Sequence, residues 1–168
     1  MKKTISILGS TGSIGTSLFK IINRRPDYFK IYLLSANKNY ISICKQIKKY
    51  NPTFFVISDF NVYKKVKLKF KKKKIIILNN FDKIKIIKKT DIIVSAIPGI
   101  AGLNPTLLAT RFTKKILIAN KESIICGWNL IKKAATKHNT KIVPVDSEHF
   151  SILKLLEHHK LHDIKKIY

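Results

Sequence analysis

The sequence predicts an α/β fold in which a mainly parallel sheet carries helices on both faces. One observation is the glycine-rich turn at residues 9–15, GSTGSIG, which follows a strand pattern and opens a helical one. Another is the alternation of short strand and helix patterns along the chain. A third is length, because 168 residues with 45% hydrophobic content can build one domain around a sizeable core. Together they indicate a Rossmann-like, doubly wound architecture.

Short apolar runs predict the strands of this sheet. They lie at residues 4–8, 30–35, 53–57, 75–78, 91–96, 115–119 and 141–145. Turn-forming residues separate them from the next element, as Pro98-Gly99 does after the fifth run. Since a helical pattern follows almost every run, we expect the strands to be parallel.

Apolar residues at helical spacing predict the intervening helices. The first helix follows the glycine-rich turn, and its expected inner face comprises Ile14, Leu18, Ile21 and Ile22. Further helices are expected at residues 39–50, 59–70, 81–88, 102–111 and 128–137. The helix expected at 39–50 ends where Asn51-Pro52 breaks the pattern.

Composition narrows the location of the protein. No apolar run approaches the roughly 20 residues that a membrane span needs, and the first strand begins too close to Met1 for a presequence. Cys44 and Cys126 are too few for a disulfide framework and lack the paired spacing of a zinc site. We therefore expect a soluble, cytoplasmic protein, with Cys44 buried and reduced on an apolar helical stripe.

The net charge of +25 raises the question of nucleic acid, because residues 71–74 are four consecutive lysines. Only three of the 34 basic residues are Arg, however, whereas base-reading proteins depend on Arg. Abundant Lys, Ile and Asn are also what AT-rich codon usage produces. We expect no specific nucleic-acid function, only salt-sensitive nonspecific binding. A basic nucleic-acid-binding protein is the alternative interpretation.

The glycine-rich turn predicts a binding site for a dinucleotide pyrophosphate. Glycines let the backbone approach the phosphates, while the free N–H groups and positive dipole of the next helix face the negative charge. The spacing is G-x-x-G-x-x-G rather than the commoner G-x-G-x-x-G, and such turns also occur without ligands. The strand-turn-helix context favours the nucleotide.

The end of the second predicted strand indicates which dinucleotide binds. Proteins that bind NAD usually place an acid there, but residues 36–39 read ANKN. A cation such as Lys38 suits the 2′-phosphate of NADP. Alternatively, Lys38 is one more lysine of a lysine-rich chain, and Asn39 is a helix N-cap.

Two later strand ends carry polar clusters. Residues 119–123, ANKES, place an amide, an ammonium and a carboxylate together, which suits contacts with both cofactor and substrate. The alternative is a capped helix start with a surface ion pair. In residues 144–149, PVDSEH, Asp146 and Glu148 stand at i and i+2 of an expected extended segment and can converge on Mg²⁺ or Mn²⁺. They are otherwise two exposed loop acids, and His149 is left unassigned.

These three motifs, in this order and spacing, resemble the 1-deoxy-D-xylulose 5-phosphate reductoisomerase family. The resemblance extends over essentially the whole chain and covers the N-terminal, NADPH-binding part of the family. Members of the family run to more than twice this length, and they are homodimeric. The resemblance therefore implies a chain that is incomplete, with weak or no activity alone.

The resemblance also implies roles for individual residues. Matches to NADPH contacts are Thr11, Gly12, Ser13 and Ile14 at the phosphates, Asn37, Lys38 and Asn39 at the adenosine end, and Asn120 and Glu122 elsewhere. The family usually has Gly where this chain has Asn37. Matches at the reaction centre are Lys121 and Glu148 as catalytic residues, Lys121, Ser147 and Glu148 at the substrate, and Asp146 and Glu148 at Mg²⁺ or Mn²⁺.

The implied reaction converts 1-deoxy-D-xylulose 5-phosphate, a sugar phosphate, to 2-C-methyl-D-erythritol 4-phosphate in non-mevalonate isoprenoid synthesis. A metal-assisted rearrangement is followed by hydride transfer from NADPH. Residues 1–150 would be the NADPH-binding domain and residues 151–168 the start of a connection to a catalytic domain. The tail at 164–168 resembles the opening of another strand. A free-standing NADP-binding module, or another NADP oxidoreductase, is the alternative.

Overall fold

A computed structural model describes residues 2–84, 89–157, 159 and 164–166. Its strands are β1 (Lys3–Leu8), β2 (Phe29–Ala36), β3 (Phe54–Ile57), β4 (Ile76–Leu78), β5 (Thr90–Ser95), β6 (Thr113–Ile118) and β7 (Lys141–Pro144). They form a seven-stranded sheet in the order β4-β3-β2-β1-β5-β6-β7, and every neighbouring pair is parallel. The doubly wound parallel sheet expected from the sequence is confirmed.

Six α-helices connect the strands or follow them within the described residues. They are α1 (Ser13–Arg24), α2 (Tyr40–Tyr50), α3 (Phe60–Lys69), α4 (Leu103–Ala109), α5 (Lys121–Lys137) and α6 (Ser147–Leu156). Short 3₁₀ turns, Ile100–Gly102 and Thr110–Phe112, flank α4. No helix in these described ranges is both long and apolar enough to cross a bilayer.

The two faces of the sheet bury separate hydrophobic clusters. One cluster packs β-strand residues such as Ile7 and Phe55 against α1, α2 and α3. The other packs neighbouring residues of the same strands, such as Leu8 and Phe54, against α4 and α5. Successive side chains of a strand point to opposite faces, so an uninterrupted apolar strand supplies both clusters. Cys44 belongs to the first cluster and is a buried free thiol, as expected.

The predicted inner face of α1 is wrong in part. Its buried residues are Gly15, Phe19 and Ile22, whereas Ile14 and Ile21 are 41% and 55% exposed. The reason is that α1 packs closely against the preceding glycine-rich turn. A Cβ on Gly15 would lie 2.5 Å from Gly9 O, so this face of the first turn must approach the backbone and carries the buried stripe with it.

Other differences concern helix boundaries. Helix α5 begins at Lys121 rather than at residue 128, and its φ/ψ angles break the helix at Gly127. The helix expected at 81–88 is absent from the described part, 81–84, which forms a turn, and residues 85–88 lie outside the described residues. Helix α6 crosses the expected domain boundary at residue 150. Of the strand expected at 164–168, the described residues 164–166 are not extended into a strand.

Gly9 and Gly99 give a test of the turn geometry, because both have positive φ, +83° and +66°. A Cβ on Gly9 would meet Ala96 O at 2.6 Å, whereas one on Gly99 has no neighbour within 4 Å. We expect Gly99→Ala to lose about 1 kcal/mol through φ strain alone, and Gly9→Ala to lose about 1–3 kcal/mol more through the clash. Urea unfolding of both variants measures the difference, and equal losses would contradict the tight packing of the turn against β5.

Candidate functional site

The candidate site lies at the carboxyl edge of the sheet, where strand order reverses between β1 and β5. In doubly wound sheets the loops after the two central strands separate at this point and leave a crevice. Here the loops are the glycine-rich turn after β1 and residues 96–99 after β5. The position alone marks the edge at which to look for chemistry.

The glycine-rich turn leaves the start of α1 open toward the crevice. Gly12 is the N-cap of α1 and has no side chain to cover the first N–H groups, and the first turn contains no acid. These N–H groups and the helix dipole therefore present positive potential. Gly12, Ser13 and Ile14 line the cavity in front of them. This arrangement suits an anion such as a phosphate.

Two adjoining cavities, of about 510 and 750 Å³, form one groove along this edge. They share Gly12, Ala96, Ile97 and Pro98 in their walls. The first cavity is also lined by Ser13, Ile14, Asn120, Lys121, Glu122, Asp146, Ser147 and Glu148. The second is also lined by Thr11, Asn37, Lys38 and Asn39. All the site residues predicted from the sequence thus line one groove.

The two carboxylate oxygens of Asp146 differ in their hydrogen bonds. It is the N-cap of α6, where Oδ1 accepts from His149 N at 3.0 Å and lies 2.6 Å from His149 Nδ1. Its Oδ2 is buried and has no hydrogen-bond partner among the described residues. A buried carboxylate oxygen without a partner is costly, so this atom is suited to an electrophilic ligand.

Glu148 lies in the first turn of α6 and pairs with Lys121 across the groove wall. Lys121 Nζ donates to Glu148 Oε1 at 3.0 Å, and Ser147 Oγ donates to Oε2 at 2.9 Å. A hydrogen bond from its own backbone N–H, together with those from Lys121 and Ser147, lowers the pKa of Glu148 to about 2. The same pair raises the pKa of Lys121 above its usual value. Both groups are therefore ionised at neutral pH.

Asp146 and Glu148 do not stand in one extended segment, contrary to what the sequence predicts. The expectation was an extended segment, in which residues i and i+2 point the same way. The segment is instead the N-terminus of α6, with Asp146 extended at φ −68° and ψ 154° and Ser147 already helical. Both acids reach the groove because a cap and a first-turn residue lie at the same helix end.

Asn120 uses its side chain within the protein. It caps α5, with Oδ1 accepting from Ser123 N at 2.9 Å, and its Nδ2 donates to the carbonyls of Ile97 and Gly99. The residue is only 3% exposed. Asn120 thus caps α5, as the alternative interpretation expects, while Lys121 pairs with Glu148. Asn120 joins the loop after β5 to the start of α5, and so fixes one wall of the groove.

Sequence reasoning missed part of the second cavity. Ser58, after β3, and Asn79, Asn80, Phe81 and Asp82, after β4, also line it. The rule that pointed to the other strand ends applies here too, since Asn79-Asn80 follows the strand predicted at residues 75–78. His149, left unassigned, proves to contact Asp146.

Comparison with known proteins identifies the family. The family model described as 1-deoxy-D-xylulose 5-phosphate reductoisomerase matches residues 5–127, well over half of the chain. The chain belongs to this family. The match includes the glycine-rich turn, the loop after β5 and the start of α5.

Curated reductoisomerases align along almost the entire chain. The one from Pelagibacter ubique (strain HTCC1062) is 50% identical over 170 residues, which cover 99% of this chain and 44% of the relative. The one from Clostridium novyi (strain NT) is 41% identical, with the same coverage of 99% and 44%. The chain thus spans less than half the length of the reductoisomerases that it matches.

Solved reductoisomerase structures share the fold. A DOX-P reductoisomerase in complex with magnesium superimposes with a TM-score of 0.86 at 32% identity, covering 99% of this chain and 45% of the other. The Zymomonas mobilis reductoisomerase in complex with NADPH gives 0.83 at 32% identity, covering 95% and 42%. A third, with NADPH, fosmidomycin and magnesium, also gives 0.83 at 32% identity, covering 94% and 42%.

The residues present fit a divalent cation only in part. Asp146 Oδ2 is buried without a hydrogen-bond partner among the described residues, and Glu148 is an ionised carboxylate on the same cavity wall. Oxygen ligands of this kind suit Mg²⁺ or Mn²⁺. Among the described residues, however, no group of three His, Cys, Asp or Glu side chains could surround a metal ion. These two carboxylates supply part of a coordination shell.

The Lys121–Glu148 pair gives a titration test. In Lys121→Met we expect the Glu148 midpoint to move up from about pH 2 toward the usual glutamate range, because a donor and a positive charge are lost. NMR titration of the side-chain carboxyl carbon measures it. The matched control is Lys114→Met, because Lys114 makes the equivalent pair with Asp91 at the opposite edge. An unchanged Glu148 midpoint in Lys121→Met would contradict the pairing.

Proposed function

We propose that this chain binds NADPH along the groove and takes part in the conversion of 1-deoxy-D-xylulose 5-phosphate to 2-C-methyl-D-erythritol 4-phosphate. The observation that carries the proposal is that two different binding features line one cavity. The open start of α1, which suits a phosphate, and the Asp146–Glu148 segment, which suits a hard cation, line the same cavity. Membership of the reductoisomerase family supports it.

The dinucleotide runs across the reversal in strand order. Its pyrophosphate lies on the first turn of α1, at Thr11, Gly12, Ser13 and Ile14. Its adenosine end occupies the second cavity, where Lys38 offers a positive charge and residues 37–39 contain no acid. Its nicotinamide end faces the first cavity. Solved relatives with NADPH support this reading, since the fold superimposes on theirs.

The asparagines of the groove differ in what they can give the cofactor. Asn39 Oδ1 accepts from Ser42 N at 3.0 Å, which leaves its Nδ2 for the adenosine end. Both ends of the Asn120 amide are used within the protein, so Asn120 contacts NADPH through its backbone. Asn37 and Glu122 lie at the walls of the two cavities and complete the proposed set.

The reaction centre is the part of the first cavity that is lined by Lys121, Asp146, Ser147 and Glu148. Asp146 and Glu148 would hold Mg²⁺ or Mn²⁺, which when bound polarises neighbouring substrate oxygens and stabilises negative charge on them. The bound NADPH supplies hydride. Lys121 is kept protonated by Glu148 and can exchange that contact for a substrate oxygen, while the Ser147 hydroxyl donates a second hydrogen bond.

Several parts of the proposal concern the longer proteins of the family. Residues 1–150 serve as the NADPH-binding domain, and residues 151–168 lead to a catalytic domain in the part of the relatives beyond the match. The full-length protein is a homodimer of the cytoplasm, in keeping with the two free thiols of this chain. With two carboxylates and no enclosing lid among its described residues, this chain alone binds the cation weakly and turns over little or not at all.

The cofactor proposal predicts a preference for NADPH over NADH that depends on Lys38. We expect Lys38→Ala to weaken NADPH about tenfold and to leave NADH nearly unchanged, because one charged contact to the 2′-phosphate is lost. Fluorescence titration of the purified chain measures both affinities. Lys48→Ala is the control, because it removes the same charge from an exposed position of α2 outside the groove. Equal affinity for both nucleotides, insensitive to Lys38, would refute the assignment.

The metal proposal predicts that Asp146→Asn weakens Mn²⁺ binding by about tenfold or more. Asparagine keeps the N-cap acceptor but removes the anionic oxygen, so α6 should persist. Electron paramagnetic resonance of free Mn²⁺ follows binding without any need for turnover. Asp59→Asn is the matched control, since Asp59 caps α3 in the same way, accepting from Val62 N at 2.9 Å. If both variants bind Mn²⁺ like the parent, Asp146 is not a ligand.

A further inference from the structure

A buried amide on α2 contacts the glycine-rich turn. Gln46 is 7% exposed and belongs to the buried face of α2 that also carries Ile43 and Ile47, both 0% exposed. Glutamine is mostly found at protein surfaces, and a buried side-chain amide is tolerated when its hydrogen bonds are made. Gln46 was not singled out by any sequence motif, so its partners explain its burial.

Both hydrogen bonds of Gln46 go to one residue, Ser10. Ser10 Oγ donates to Gln46 Oε1 at 2.7 Å, and Gln46 Nε2 donates to Ser10 O at 2.9 Å. The two residues are 36 positions apart and both bonds are buried. The amide therefore restrains the side chain and the carbonyl of Ser10 together, which fixes its orientation as well as its distance from α2.

Ser10 has no polar group left for a ligand. Its N–H donates to Ser35 O at 2.7 Å, and the neighbouring Gly9 N–H donates to Ser35 Oγ at 3.0 Å. Ser10 is fully buried. Its backbone also supports α1, because a Cβ on Gly15 would lie 2.7 Å from Ser10 Cα. A displacement of Ser10 would therefore move the first turn of α1, where the groove is lined by Ser13 and Ile14.

The other end of this link is the adenosine end of the groove. Helix α2, which carries Gln46, begins after Asn39, and Lys38 and Asn39 line the second cavity. We propose that Gln46 is a positioning residue that sets the spacing between the glycine-rich turn and residues 37–39, so that one dinucleotide reaches both. This inference rests on the proposed binding of NADPH. Gln46 itself lines neither cavity of the groove.

The spacing role is distinguishable from simple core packing. Two half-sites at the correct separation bind a linked ligand far better than its separate halves, because the second contact is made within one complex. A change in spacing should thus weaken NADPH while sparing a fragment that occupies one end. A loss of fold stability alone should change neither affinity at a temperature where the variant is folded.

The test compares Gln46→Met, which keeps the length and apolar stem of the side chain, with the parent chain. We expect Gln46→Met to weaken NADPH about tenfold and to change the affinity for 2′,5′-ADP, a fragment with only the adenosine end, less than about twofold. Isothermal titration calorimetry at a temperature well below both unfolding midpoints measures the two. Ser10→Ala, which removes only one of the two bonds, should give an intermediate loss.

Cys44→Ala is the packing control, because Cys44 is also 7% exposed on α2 and belongs to the hydrophobic core beside it. It should lower the unfolding temperature and leave both affinities unchanged. Unaltered NADPH binding in both Gln46→Met and Ser10→Ala would overturn the inference, as would equal losses for NADPH and 2′,5′-ADP. If Gln46→Met fails to fold, Ser10→Ala decides alone. A parent chain that binds no NADPH would instead refute the proposed function.

Discussion

The close seating of α1 on the glycine-rich turn is the constraint on which the groove depends. A Cβ on Gly15 would lie 2.5 Å from Gly9 O, and a Cβ on Gly9 would lie 2.6 Å from Ala96 O. The turn thus packs against the helix on one side and against the start of the loop after β5 on the other. The start of α1 can lie this close to the reversal in strand order only because both positions lack side chains.

Polar contacts, some of them buried, also position the groove walls. Ser35 and Gln46 hold one side of the turn, and Asn120 holds the loop after β5 to the start of α5. Such contacts are directional, so they fix orientation as well as distance. Asp146, which also lines the groove, keeps one buried carboxylate oxygen without a hydrogen-bond partner among the described residues.

Much of the fold was predictable because its determinants are local. Strand patterns of two-sided burial gave all seven strands to within a few residues, and the alternation with helices gave their parallel arrangement. The inner face of α1 was not predictable from apolar spacing, because Gly15, which has no side chain to bury, determines it. The start of α5 was missed because its first turns, residues 121–127, carry the polar motif itself and end at the break at Gly127.

The lining of the candidate site was predictable in part, but its geometry was not. The rule that ligands bind at carboxyl strand ends selected many of the residues that line the groove but not those after β3 and β4. It could not reveal that Asp146 is a helix cap or that Lys121 pairs with Glu148 and not with Glu122, since these contacts depend on how α5 and α6 begin. Pairs such as Ser10 and Gln46, far apart in sequence and without a motif, require the fold.

The reversal in strand order also divides the sequence into two consecutive parts, one on each side of the groove. Strands β1 to β4 form one flank of the groove and β5 to β7 the other, and the two flanks are consecutive stretches of sequence. A long ligand that lies across their junction would contact both an earlier and a later part of the polypeptide. Its binding energy would therefore oppose separation of the flanks, and occupancy would make the two parts unfold together.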